Sequence, residues 1–178
     1  HKCPSPDTEQ IGKRTWAKIM KKILLTAFVA GSIGFIVGNA FWYLASPLWI
    51  DTVVSEELPA ALQMDQLAQG SFRDADRTHK GTGNAAIFRI ATGANVLRLT
   101  EFETTNGPDL EVWLVKASDI QSSSDVNASE WLSLGPLKGN IGDQTYIIPE
   151  GTDVSAYKSV VIWCEQFGVL FSPADLSS

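Results

Sequence analysis

The sequence predicts an all-β domain, a β-sandwich or small barrel of short antiparallel strands, preceded by one N-terminal transmembrane helix. Three observations carry that expectation. Residues 23–50 contain no charged side chain. Lysine and arginine precede this run, whereas aspartate and glutamate follow it. Beyond it, short stretches rich in Val, Ile, Leu and aromatics recur at close spacing, separated by Gly, Pro, Asn and Asp.

Residues 1–22 carry six Lys and Arg against two Asp and Glu, and read as a basic cytoplasmic tail. The apolar run 23–50 is 28 residues long, where about 20 span the hydrocarbon core of a bilayer. Positive charge resists translocation, so Lys13, Arg14, Lys18, Lys21 and Lys22 keep the N-terminus in the cytoplasm. Everything after Asp51 is then periplasmic or extracellular. Trp42, Tyr43 and Trp49 occupy the place of an outer aromatic belt, and Trp16 that of an inner one.

A cleaved signal peptide is the competing reading. Met20 opens MKKILLTAFVAG, which has the form of a translation start with a basic n-region, making residues 1–19 an extension or part of a longer chain. Gly38-Asn39-Ala40 has the form of a cleavage site. Against cleavage, the apolar stretch continues through Phe41, Trp42 and Leu44, so the uncleaved anchor is preferred. Ala27, Gly31, Gly34, Gly38 and Ala45 share one helix face and include a GxxxG. They suit helix–helix association, although small residues are also common in membrane helices generally.

Residues 51–66 read as a polar linker with a short helix after Pro59, and residues 67–178 as the exported domain. The first strand falls in Leu67–Phe72, the second within GTGNAAIFRIATG, and the third in Asn95–Glu103 with a bulge near Thr100. Asn106-Gly107-Pro108-Asp109 is a turn by composition. After it, Leu110, Val112 and Leu114 face one way while Trp113 and Val115 face the other, predicting a strand buried on both sides. Ala117–Ser129 reads as a polar surface loop, and Asn127-Ala128-Ser129 in it is formally a glycosylation acceptor. Leu132–Leu137, Thr145–Ile148 and Ser159–Phe171 complete the β inventory. Trp113, Trp131 and Trp163, with Phe88, Phe102, Phe167 and Phe171, read as an aromatic-rich core.

Charge and ligand types exclude several functions. Residues 51–178 carry 18 Asp and Glu against eight Lys and Arg, so this domain repels phosphate backbones and nucleic acid is a poor partner. A blue-copper site needs two His and a Cys, whereas the exported part has His79 and Cys164 alone; zinc is disfavoured for the same shortage. No CxxCH occurs for covalent haem. Asp74, Asp76, Asp109 and Asp143 follow no calcium-loop pattern and suit structural turn roles. No GxSxG or other hydrolytic or metal-catalytic motif occurs, so an enzyme is unsupported.

Cys3 and Cys164 flank the apolar run, so a membrane would separate them and leave Cys164 unpaired in an oxidising compartment. The domain, about 115 residues, must then stand on its hydrophobic core. Cys164 reads either as a redox thiol or as a small buried hydrophobe. Glu165 beside it works against a reactive, low-pKa thiol. His79, beside Arg77 and Lys80, reads either as a haem axial ligand, alone or with Cys164, or as a surface histidine.

A resemblance sharpens these alternatives. Gly70-Ser71-Phe72, His79 with Gly81-Thr82-Gly83 and Ala86-Ile87, Leu97-Arg98 with Phe102, GPDLEVWL at 107–114, LGPLKGNIGDQTYIIP at 134–149 and SVVIWCEQFGVLFSPADL at 159–176 occur in order. In this the chain resembles the DM thirteen (electron-transfer DM) domain family over about residues 67–176. The arrangement is similar to that of short, single-anchor bacterial members. Multidomain relatives place this module beside DOMON and b-type cytochrome domains, and neither lies within these 178 residues. A family cysteine corresponds to Cys164. The resemblance therefore implies a membrane-anchored electron-transfer or thiol-redox role centred on Cys164, with a redox partner or another envelope protein. Non-covalent haem at His79 and Cys164 is the cofactor left open. The alternative is a non-redox binding or scaffolding module with Cys164 filling the core.

Overall fold

The computed structural model describes residues 6–46, 49–57 and 64–178. They form two units, a long N-terminal helix and a β domain. The helix after Pro59 expected from the sequence lies outside the described residues.

Helix α1 runs Pro6–Ala45. Its stretch Lys18–Tyr43, 26 residues, is long and apolar enough to cross a membrane, at about 39 Å for 1.5 Å per residue. Ile23, Leu24, Phe28, Phe35 and Ile36 are all exposed on it. The helix ends at Ala45, short of the Ile50 boundary expected from composition, and Trp49 sits in a turn. Pro47 supplies the reason, because proline disfavours helical geometry in the residue before it and removes an N–H donor. Around Gly31, Gly34 and Gly38 there is open space within this unit.

The β domain is a sandwich of two sheets and does not close into a barrel. Its strands are β1 (Val53–Ser55), β2 (Met64–Ser71), β3 (Gly81–Ile90), β4 (Asn95–Thr104), β5 (Leu110–Val115), β6 (Trp131–Pro136), β7 (Ile141–Ile147), β8 (Ser159–Cys164) and β9 (Val169–Asp175). One sheet has the order β1-β7-β4-β3-β2, the other β6-β5-β8-β9. All neighbours are antiparallel except β1 and β7, which run parallel. Of that pair, β1 lies within the stretch read as linker. Gly142 permits it: a Cβ there would overlap the Val54 carbonyl oxygen, and its φ is +102°, a conformation that glycine adopts without strain.

The core follows from strand alternation. Leu97 and Leu99 of β4, Leu110, Val112 and Leu114 of β5, and Val160, Ile162 and Cys164 of β8 all enter the cluster between the sheets. A fully buried Leu, Ile or Val contributes about 1.5–3 kcal/mol. The phase slip anticipated near Thr100 is present: the β4–β7 register shifts between Leu99 and Glu103, and Glu101 takes φ +50°. Its freed N–H donates to Asp143 Oδ1 at 2.9 Å. At the far edge the sheets are joined, with Gln69 and Ser177 exchanging two backbone hydrogen bonds of 2.8 Å.

Two expectations need correcting. Residues 117–129 are more than a polar surface loop. They contain a short helix, α2 (Ser123–Asn127), and bury Ile120 and Val126 completely. These side chains cap the outward face of the second sheet, joining Trp113, Val115, Val161, Trp163 and Leu170 in a second apolar cluster. The aromatic residues do not form one core either. Phe102 and Phe171 lie between the sheets and Trp113 and Trp163 lie on the outward face, whereas Phe167 is exposed. The cause is β5 and β8 themselves: with both faces apolar, every second residue must find cover outside the sandwich.

Candidate functional site

Cys164 is the last residue of β8, paired with Leu110 on one side and Val169 on the other. The strand ends there because Gly168 N–H returns to the Cys164 carbonyl at 2.9 Å, closing a tight turn. The side chain shares the inward face with Ile162, as alternation requires, and is 0 % exposed. Its thiol donates to the Pro108 carbonyl at 3.0 Å. Burial pushes the Cys164 pKa up, and the Asp109 and Glu165 charges add to that. A reactive thiol needs the opposite, a thiolate favoured by nearby cations. As folded, Cys164 is a protonated, hydrogen-bonded thiol enclosed in apolar surroundings.

His79 lies in the loop between β2 and β3, with its side chain 24 % exposed. Asp76 builds that loop. Its Oδ1 accepts the backbone N–H groups of Thr78 at 2.6 Å and His79 at 2.7 Å, and its Oδ2 lies 2.7 Å from His79 Nδ1. The His79 side-chain hydrogen bond, then the backbone bonds, bring the Asp76 pKa down to about 2. Asp74 works alongside, accepting from Lys80 Nζ at 2.7 Å and Gly81 N–H at 3.1 Å. The imidazole rests against the Phe171 ring, centroids 4.3 Å apart.

The two candidate residues are thus linked without bonding to each other. Phe171, which supports His79, also fills the space over Gly107, where a Cβ would meet its ring at 2.6 Å. Gly107 precedes Pro108, the acceptor for the Cys164 thiol. One aromatic ring and one turn therefore separate histidine from cysteine. This arrangement does not fit a haem held by both. The sulfur is sealed between the sheets, and five clefts on the described surface are lined by other residues. Among the described residues no group of three or more His, Cys, Asp or Glu converges as a metal site.

Two features escaped the sequence reading. Arg98, whose residue is 6 % exposed, bonds Thr145 Oγ1 at 2.9 Å, the Glu56 carbonyl at 2.6 Å and Asp143 Oδ2 at 2.9 Å. It ties the segment after β1 to the first sheet. Nothing local marks an arginine in a hydrophobic strand as buried; its partners are more than 40 positions away.

The second feature is a ladder of indoles on the outward face of the second sheet. Trp163 of β8 stacks on Trp113 of β5 with centroids 5.1 Å apart. Trp113 in turn stacks on Trp131 of β6 at 3.9 Å and 13°. The register places the three diagonally across adjacent strands, since Trp113 faces Val161 and Ser133 while Trp131 faces Val115. Diagonal neighbours on one face lie within reach of aromatic side chains. Trp163 is 2 % exposed, Trp113 3 % and Trp131 47 %, so the ladder runs from cover to solvent. Glu111 Oε2 accepts the Trp113 indole N–H at 2.7 Å and the Ser133 hydroxyl at 2.6 Å. The Glu111-x-Trp113 spacing was the available signal, because residues two apart on a strand share a face.

A family model described as Electron transfer DM13 matches residues 71–176. No curated protein and no solved structure matches the chain.

Proposed function

The chain belongs to the electron-transfer DM13 family, and from that premise we propose that it is a membrane-anchored, extracytoplasmic electron-transfer module with Cys164 as its redox residue. The observation that carries this reading is the family match, which covers β3 to β9 and includes Cys164. The apolar stretch Lys18–Tyr43, with lysine and arginine before it and acidic residues after it, supports an anchor whose N-terminus is cytoplasmic. Burial keeps reagents from the sulfur, but an electron reaches a buried group through the surrounding protein. The partner is then a redox protein of the envelope.

Burial favours a second reading. A sealed, hydrogen-bonded thiol with a raised pKa is also what a core residue of a non-redox scaffolding module looks like. A potentiometric titration of the full chain in lipid nanodiscs separates the two. The electron-transfer reading expects a redox transition in the wild type that disappears in Cys164→Ala. A wild-type chain with no transition leaves the scaffolding reading standing. Orientation is tested separately, by adding protease to sealed cells: digestion of the β domain is expected, and full protection inverts the topology.

A further inference from the structure

We propose that Trp131, Trp113 and Trp163 form a one-electron relay on the outward face of the second sheet, with Trp131 as its port and Glu111 as its proton acceptor. The proposal deepens the electron-transfer reading and rests on it for its biological use, but not for its chemistry.

Three features of the second sheet point this way. The stacked rings, at 3.9 and 5.1 Å, are close enough for electron exchange between neighbouring π systems. One end is covered and the other is half exposed on β6, an edge strand, where a partner can approach. The middle indole has its N–H aimed at a carboxylate 2.7 Å away. Packing alone accounts for the stack. Burial also calls for an acceptor at the Trp113 N–H, and the one present, Glu111 held by Ser133, is a carboxylate able to take the proton a tryptophan sheds on oxidation.

A high-potential one-electron oxidant at the surface takes one electron from the Trp131 indole and is reduced by one. Trp113 refills Trp131 and becomes oxidised. Its Nε1 proton crosses the existing hydrogen bond to Glu111 Oε2, leaving a neutral indolyl radical beside a neutral carboxylic acid. Losing the proton keeps the hole on Trp113, because returning it requires taking the proton back from Glu111. Trp163 extends the path inward, on the strand residue next to Cys164. Re-reduction reverses each transfer.

Flash-generated tris(bipyridine)ruthenium(III) supplies the oxidant for a test. The full chain is used in nanodiscs, with Trp16, Trp42 and Trp49 replaced by Phe to remove other indoles. Transient visible absorption distinguishes the neutral indolyl radical from its protonated cation. The neutral radical is expected in this background and the cation in Glu111→Gln, whose amide still accepts the indole hydrogen bond but takes no proton. Trp131→Phe, altering a half-exposed side chain, is expected to slow Trp113 oxidation at least about tenfold, a barrier increase of about 1.4 kcal/mol. Trp113→Phe is expected to abolish the promptly formed neutral radical, because Trp131 is still oxidised but its half-exposed cation loses its proton only to water and therefore later. A radical of the same protonation state with and without Glu111 overturns the proton acceptor, and an unchanged rate in Trp131→Phe overturns the port. Cys164→Ala is expected to leave the radical unaltered. The relay and the cysteine-centred reading therefore fail in different experiments.

Discussion

Two adjacent residues of β8 meet opposite fates. Cys164 points between the sheets, 0 % exposed, and its S–H donates to the Pro108 carbonyl. Trp163 points outward and joins a stack that ends half in solvent at Trp131. The inward face is closed by a second sheet. The outward face is closed by loops, through Ile120 and Val126 of the 117–129 segment and Ala75 of the loop before β3. A rigid sheet and a loop lid are different kinds of cover, and the chemistry available on each face differs accordingly.

The largest effect should come from comparing isoleucines under the two covers. Ile162 and Ile120 are both 0 % exposed, the first between the sheets and the second in the lid. Ile162→Ala is expected to cost about 4 kcal/mol and Ile120→Ala about 2 kcal/mol, because a loop can settle into the vacated space and two packed sheets cannot. Chemical denaturation of the full chain in detergent measures both. Equal losses would mean that the lid is as stiff as the sandwich.

A smaller effect is expected at the thiol. Cys164→Ser should cost about 1 kcal/mol, the low end for burying a hydroxyl, because the Pro108 carbonyl already stands ready as its acceptor. The sequence alone, with no partner visible for position 164, supports a wider range of about 1–3 kcal/mol. A loss at the upper end of that range would show that the serine hydroxyl does not reach Pro108.

The smallest effect concerns the loop that holds His79 against Phe171. The Asp76 pKa is lowered from 3.8 to about 2 in the folded chain. Its contribution is therefore present above pH 4 and is lost as the pH falls through about 2. The His79 ring should detach from Phe171 over that window, seen as a change in its NMR shifts, while the sheets persist. In Asp76→Asn this acid transition should disappear.

The strands were largely legible in the sequence because each face of a strand carries its own pattern. The two-sided β5, the bulge near Thr100 and the inward placement of Cys164 beside Ile162 all follow from alternation. The family was legible in six ordered blocks. The parallel pairing of β1 with β7 was not, since three residues carry no periodicity and the pairing depends on Gly142 more than 80 positions away. The lid was hidden because Ile120 and Val126 stand alone among Ser, Asp and Asn, where composition outvotes two buried side chains. For the candidate site, residue types named Cys164 and His79, but their enclosure depends on Pro108, Phe171 and Asp76. The indole ladder required the lateral order β8-β5-β6, which no local pattern encodes.

The central structural claim is that β8 presents a sealed sulfur on one face and, on the other, a loop-covered indole whose stack reaches solvent at Trp131. Alkylation of Cys164 by a small maleimide tests it directly, with the full chain in nanodiscs under native and denaturing conditions and with Cys3 replaced by Ser. The claim predicts labelling slowed at least about a thousandfold in the native state, because the thiol reacts only through opening of the sandwich. Native labelling at nearly the denatured rate would contradict it.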